Sequence, residues 1–102
     1  MKFVKVKGWS KHVIGTGLVG YITSSYDELV RKFGRPSIFG SVDHKTQVEW
    51  IIKVGKVYFT IYDYKEGVPY DKVTLWHIGG HNANDITSLL RQKGFIMRKE
   101  WR

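Results

Sequence analysis

Val48-Glu49-Trp50-Ile51-Ile52-Lys53-Val54-Gly55-Lys56-Val57-Tyr58-Phe59-Thr60-Ile61-Tyr62-Asp63-Tyr64 is the stretch that decides the fold. Two runs rich in β-branched and aromatic residues flank Gly55-Lys56, a pair that suits a two-residue hairpin turn with glycine first. Closing the turn there sets Val54 opposite Val57, Ile52 opposite Phe59 and Trp50 opposite Ile61. All six share one face, because side chains alternate along a strand. The other face sets Glu49, Ile51 and Lys53 against Tyr62, Thr60 and Tyr58, a mixed surface suited to partial cover or to function.

Upstream of the hairpin, Ser25 with Glu28 three residues later reads as a capping box. Tyr26, Leu29, Val30 and Phe33 then recur at helical spacing. Gly34 suits the helix C-terminus and Pro36 prevents continuation. Residues 35–46 read as a loop ending in Asp43-His44-Lys45-Thr46. Phe3 to Trp9 reads as a short strand, and Val13 to Thr23 as a strand bent at Gly15, Gly17 and Gly20 or a loop leading into one.

Downstream, Lys65 to Asp71 reads as a loop and Val73 to Ile78 as a third main strand ended by Gly79-Gly80. Asn82 or Asn84 caps a second helix that turns Ile86, Leu89 and Leu90 inward and stops at Gly94. Phe95 to Trp101 reads as a final strand or an extended tail. The expected order is β-β-α-β-β-β-α-(β). Short connections favour an α+β two-layer sandwich, an antiparallel sheet of about four to five strands with both helices packed on one face.

At 102 residues the chain is expected to form one domain, since two would leave neither a sizeable core. Aromatic residues at 15% exclude general disorder. The absence of cysteine excludes disulfides and thiolate chemistry and fits a cytoplasmic protein. No apolar run reaches the ~20 residues of a membrane span, so no membrane partner is expected.

The net charge of +8 is concentrated at the ends. Residues 1–12 hold Lys2, Lys5, Lys7 and Lys11 without an acid. Residues 91–102 hold Arg91, Lys93, Arg98, Lys99 and Arg102 against Glu100. The eight cations and eight acids between them cancel. Trp9, His12, Phe95 and Trp101 are interleaved with the terminal cations. Cations beside flat rings suit phosphates and unstacked bases, and termini that meet at the surface would merge the two segments into one patch. The plainer reading makes the basic ends a solvated surface and their rings part of the core. Tyr58, Tyr62, Tyr64, Trp76 and His77 form a second candidate interface, weighed against a role in packing.

Three motifs promise less than their letters. Gly15-Thr16-Gly17-Leu18-Val19-Gly20 spells G-x-G-x-x-G, but an extended stretch, not a helix, follows it. His77 and His81 sit four apart in a strand and turn, where two imidazoles do not converge as they would on a helix. Asp43, His44, Asp63, Asp71, His77 and His81 are general acid–base types without a spacing that gathers them. No catalytic residue, metal or cofactor is therefore expected, and a small metal-dependent nuclease is the third-ranked reading.

Gly15-Thr16 with Gly20-Tyr21, Tyr26 to Phe33 with Gly34 and Pro36, Lys45-Thr46, Glu49-Trp50, Thr60-Ile61-Tyr62-Asp63-Tyr64-Lys65 and Trp76-His77-Ile78-Gly79-Gly80 together resemble a family of small uncharacterised phage and viral proteins. The likeness spans residues 14–92 and leaves most of the basic ends outside. It implies a virus-encoded protein acting in the cytoplasm of a bacterial host. The order helix, three strands, helix is similar to double-stranded-RNA-binding domains, but Asn82-Ala83-Asn84-Asp85 stands where those carry a lysine cluster. Phe33-Gly34-Arg35-Pro36 after a helix looks like β-lactamase-inhibitor-type modules, which bind proteins.

The leading expectation is a non-catalytic phage accessory protein that binds a bacterial host or defence protein, or a nucleoprotein, stoichiometrically. Counter-defence inhibitors such as anti-CRISPR proteins are of this kind. The alternative is direct DNA or RNA binding through the basic ends and nearby rings.

Overall fold

In the computed structural model the hairpin closes in the expected register. The structure describes residues 2–40 and 45–99. Asp43, His44, Trp101 and Arg102 lie outside the described residues. Strands β1 (Val4–Lys5), β2 (Gly17–Thr23), β3 (Ile38–Phe39), β4 (Val48–Val54), β5 (Val57–Tyr62) and β6 (Leu75–Gly80) form one antiparallel sheet. Helix α1 (Tyr26–Phe33) follows β2, and α2 (Ala83–Gln92) follows β6. The order across the sheet is β1-β4-β5-β6-β2, and β3 shares the outer edge of β4 with β1. The chain is therefore α+β, as its pattern of elements implies.

One face of the sheet carries the core. Trp50, Ile52, Phe59, Ile61, Trp76, Ile78 and Ile22 meet Leu29 and Phe33 of α1 and Ile86, Leu89 and Leu90 of α2 in a single apolar cluster. Burial of this surface drives folding at about 25 cal/mol per Å² of apolar area. The two central indoles cross edge to face, with centroids 5.4 Å apart. Their N–H groups fix α1 at both ends: Trp76 donates to the Ser24 carbonyl before it, and Trp50 to the Gly34 carbonyl after it. Each buried indole donor is thereby satisfied, and the helix is held in place along its length.

Local signals explain the helices. Ser25 Oγ accepts the Glu28 N–H at 3.1 Å, half of the expected capping box. The other half differs: Glu28 accepts a hydrogen bond from Ser24 Oγ at 2.6 Å. Asn82, the earlier of the two candidates, caps α2 by accepting the Asp85 N–H. Gly34 and Gly94 end the helices at positive φ.

Several boundaries differ from the sequence reading. The first strand is two residues long, and a short 3-10 turn at Lys11–Val13 follows it. The expected loop over 35–46 contains β3, too short for any periodicity to reveal. Gly79 and Gly80 continue β6 instead of ending it. Bare backbone is needed there, because a Cβ on Gly80 would strike Ile86 and one on Gly79 would come within 2.7 Å of Thr60 Oγ1. Among the described residues the expected final strand is represented by a single bridge between Tyr21 and Arg98.

Candidate functional site

The face of the sheet opposite the helices carries the chemistry, and strand register assembles it. Tyr21 of β2 pairs with His77 of β6, His77 with Tyr62 of β5, and Tyr62 with Glu49 of β4. Four polar or ring-bearing residues therefore lie in one row across four strands. The His77 imidazole stacks on Tyr62 at 5.3 Å and meets the edge of Tyr21 at 5.0 Å. Tyr64 approaches it at 5.7 Å. Glu66, on the loop after β5, brings Oε2 to 4.0 Å from His77 Nδ1, an ion-pair separation longer than a hydrogen bond.

Burial sets the protonation tendencies of this row. His77 is buried, which pushes its pKa below the usual histidine value, while the nearby Asp63 charge partly restores it. Burial pushes the Glu49 and Glu66 carboxyls up, and Asp63 adds like-charge repulsion to both. Tyr62 is raised mainly by burial, with the Glu49 charge adding to it. The cluster thus favours uncharged side chains.

Asp63 itself is a structural carboxylate. Its Oδ1 accepts the N–H groups of Gln47 and Val48, both at 2.9 Å, and its Oδ2 accepts from Gln47 Nε2 at 2.9 Å. Those bonds fix the entry to β4. Beside it, Lys45, Lys65, Glu66 and Val68 border an open cleft of about 400 Å³.

A second assembly lies at the hairpin-turn end of the same face. The 3-10 turn at Lys11–Val13 brings His12 flat onto Tyr58, with centroids 4.5 Å apart and planes 10° from parallel. Lys53 Nζ stands 5.8 Å from the centre of the same Tyr58 ring. His12, Lys53, Gly55, Lys56 and Tyr58 line a cleft of about 250 Å³. Lys56 and Tyr58 also line an adjoining cleft of about 200 Å³ with His81 and Asp85. Lys11, His12, Lys53 and Lys56 are exposed, and Trp9 is 64% exposed.

Lys5 and Arg98, two of the terminal cations, lie on opposite edges of the sheet. Lys5 sits on the β4 edge of the sheet through its pairing with Ile52, and Arg98 sits on the β2 edge through Tyr21. The N- and C-terminal segments touch behind the sheet, where Lys93 Nζ lies 4.7 Å from the Phe3 ring. Lys93 and Phe95 serve packing there: Phe95 is 4% exposed, and Lys32, 4.5 Å over its ring, donates to the Lys93 carbonyl. Lys2, Lys7, Arg91, Arg98 and Lys99 are exposed.

Of the second candidate interface, Tyr58, Tyr62, Tyr64 and His77 share the face opposite the helices. Trp76 does not, because β6 turns it into the core, where it is fully buried. Lys56 and the 250 Å³ cleft were not anticipated from the sequence, which offered Lys53 only as part of a mixed face. The signal available was the hairpin register, which sets Lys53 beside Tyr58. Among the described residues no three acid or histidine side chains converge as a metal site would require. His77 lies within the sheet and His81 just before α2, with His81 near Gly15. The G-x-G-x-x-G stretch runs into β2, with a bulge between Leu18 and Gly20, and no helix opens at it. Among the described residues no helix is long and apolar enough to cross a membrane.

Compared with known proteins, the chain matches no family model, no curated protein and no solved structure.

Proposed function

We propose that this chain is a non-catalytic nucleic-acid-binding protein whose contact surface is the basic, ring-lined end of the sheet around His12 and Tyr58. The observation that carries this reading is the exposed His12 stacked on Tyr58 with Lys53 beside the same ring. Lys11 and Lys56 add positive charge to that end. Lysines supply attraction to phosphate, and flat rings supply stacking for bases.

Titration against labelled DNA and RNA at low and moderate salt tests it, with and without magnesium. Binding that falls steeply with salt, without cleavage, is the expected result. Replacing Lys11, Lys53 and Lys56 together by Ala is expected to weaken binding far more than replacing Arg98, on the β2 edge, together with Lys99. The reverse ranking moves the surface to the C-terminal segment.

A second reading is stoichiometric inhibition of a bacterial host or defence protein, or of a nucleoprotein, by a phage-encoded chain. Trp9 at 64% and Ile14 at 65% exposure favour it, because they flank His12 in the chain with the large apolar side chains that anchor protein interfaces. On this reading bare nucleic acid binds poorly, and the hot spots are Trp9 and Ile14.

A further inference from the structure

We infer that the nucleic acid bound is single-stranded, with one base stacked on the outer face of His12 and its phosphates at Lys53 and Lys56. The inference rests on the nucleic-acid reading above and names the ligand class of that site.

The geometry points to a base-stacking platform. Tyr58 covers one face of the imidazole, in near-parallel contact at 4.5 Å. His12 is exposed and borders the 250 Å³ cleft, so a ligand there can reach its ring. A flat ring already stacked on a second ring is held in orientation, and a base added to it continues the stack. Two clefts of about 250 and 200 Å³ adjoin the platform and share Tyr58 and Lys56. Two clefts that share lining residues fit consecutive nucleotides of an extended strand.

A duplex does not fit this arrangement. Its base faces are covered by their neighbours in the stack, and only its groove edges and phosphates are available. Duplex binding would use the lysines and leave the ring pair without a role. Charge complementarity agrees with a phosphate backbone: the larger cleft is bordered by Lys53 and Lys56 and by no acid, and Asp85 enters only the smaller one. Two phosphate contacts on a single strand give a salt slope of about −1.4, from roughly 0.7 per phosphate neutralised.

The test is fluorescence anisotropy with a labelled fifteen-nucleotide oligothymidylate and a mixed-sequence duplex of equal length, each across a salt series. The expected result is tighter binding of the oligothymidylate. His12→Ala is expected to weaken it between about fivefold and a hundredfold, the range for one stacked base. His12→Trp keeps the ring, has no charge and is expected to retain most of the affinity. Lys53→Ala with Lys56→Ala is expected to flatten the salt slope. Circular dichroism of each variant guards against misfolding, and His12 is a surface residue whose loss leaves the core intact.

Equal binding of duplex and single strand, with His12→Ala unchanged, overturns the single-strand assignment and leaves the nucleic-acid reading standing. His12→Trp binding as poorly as His12→Ala also overturns it, because charge or shape and not stacking would then be the contribution of His12. No binding of either oligonucleotide, nor of a single-stranded RNA of the same length run beside them, overturns the nucleic-acid reading itself, and the assignment falls with it.

Discussion

The two faces of the sheet use the same strands and many of the same ring types, yet they hold their polar atoms in opposite ways. On the helix face Trp50 and Trp76 are fully buried, and each has one donor satisfied by a backbone carbonyl at an end of α1. That face is closed to solvent and fixed in place. On the other face Tyr21, Tyr62, Tyr64, His77, Glu49 and Glu66 bring titratable groups together, and the turn at Lys11–Val13 and the loop after β5 cover part of it. Ring content alone does not separate core from surface. What separates them is whether each polar atom meets a backbone partner or another titratable side chain.

The largest test of this difference is truncation on each side. Trp50→Ala is expected to cost about 3–5 kcal/mol, since it opens a cavity and releases the Gly34 end of α1. Tyr64→Ala, on the more exposed face, is expected to cost about 1 kcal/mol or less. Urea unfolding of the two variants measures both values. Equal losses would erase the distinction between the faces.

Asp63→Ala comes next, at about 3 kcal/mol, because it removes the acceptor for the Gln47 and Val48 amides at the start of β4. Asp63→Asn keeps one acceptor oxygen and is expected to recover part of that loss. If the two variants are equally stable, charge and not hydrogen bonding is what Asp63 contributes.

Gly20→Ala probes the β2 edge. A Cβ at Gly20 would stand 2.7 Å from the Arg98 carbonyl, so the C-terminal segment must move. The expected cost is about 1–3 kcal/mol. Faster amide exchange is expected at Tyr21 and Arg98, whose N–H groups bond each other's carbonyls at 2.6 and 2.7 Å. Unchanged exchange at both amides would show that the segment yields without separating.

The smallest effect concerns pH. Burial lowers the His77 pKa, so the unfolded chain binds that proton more readily than the folded chain. Stability from this group is complete above the ordinary value of 6.5 and declines as pH falls through it toward the folded value. Glu49 and Glu66 act oppositely: their raised values favour the folded state at low pH, and this contribution is lost as pH rises above 4.5. His77→Gln is expected to remove the decline between pH 7 and pH 6, measured by thermal melts across that range. A variant with the parent's slope there would place the titration elsewhere.

Much of this architecture is readable in the residues. The Gly55-Lys56 turn and the alternation around it define the hairpin register, and Ser25, Gly34 and Gly94 mark helix ends, while the residues leave Asn82 and Asn84 both open as the second cap. These signals are local, and local chemistry suffices to encode them. The site is less legible. Tyr21, His77, Tyr62 and Glu49 are scattered over 57 positions of the chain, and only the pairing of four strands sets them in one row. The separation of Lys5 from Arg98 is hidden for the same reason. Which edge each terminus joins depends on strand order, which no short-range pattern records.

The sequence by itself determined the α+β class, the hairpin register, the ends of the first helix and the terminal concentration of charge, because propensity, turn geometry and alternation act between near neighbours. Tertiary structure alone decided that Gly79 and Gly80 stay in the sheet, that Trp76 is core while His77 faces the other way, that Lys5 and Arg98 occupy opposite edges, and that His12 lies on Tyr58. Each of those depends on which distant segments share a surface. That choice is made by burying the whole apolar face at once, not by any residue's own preference.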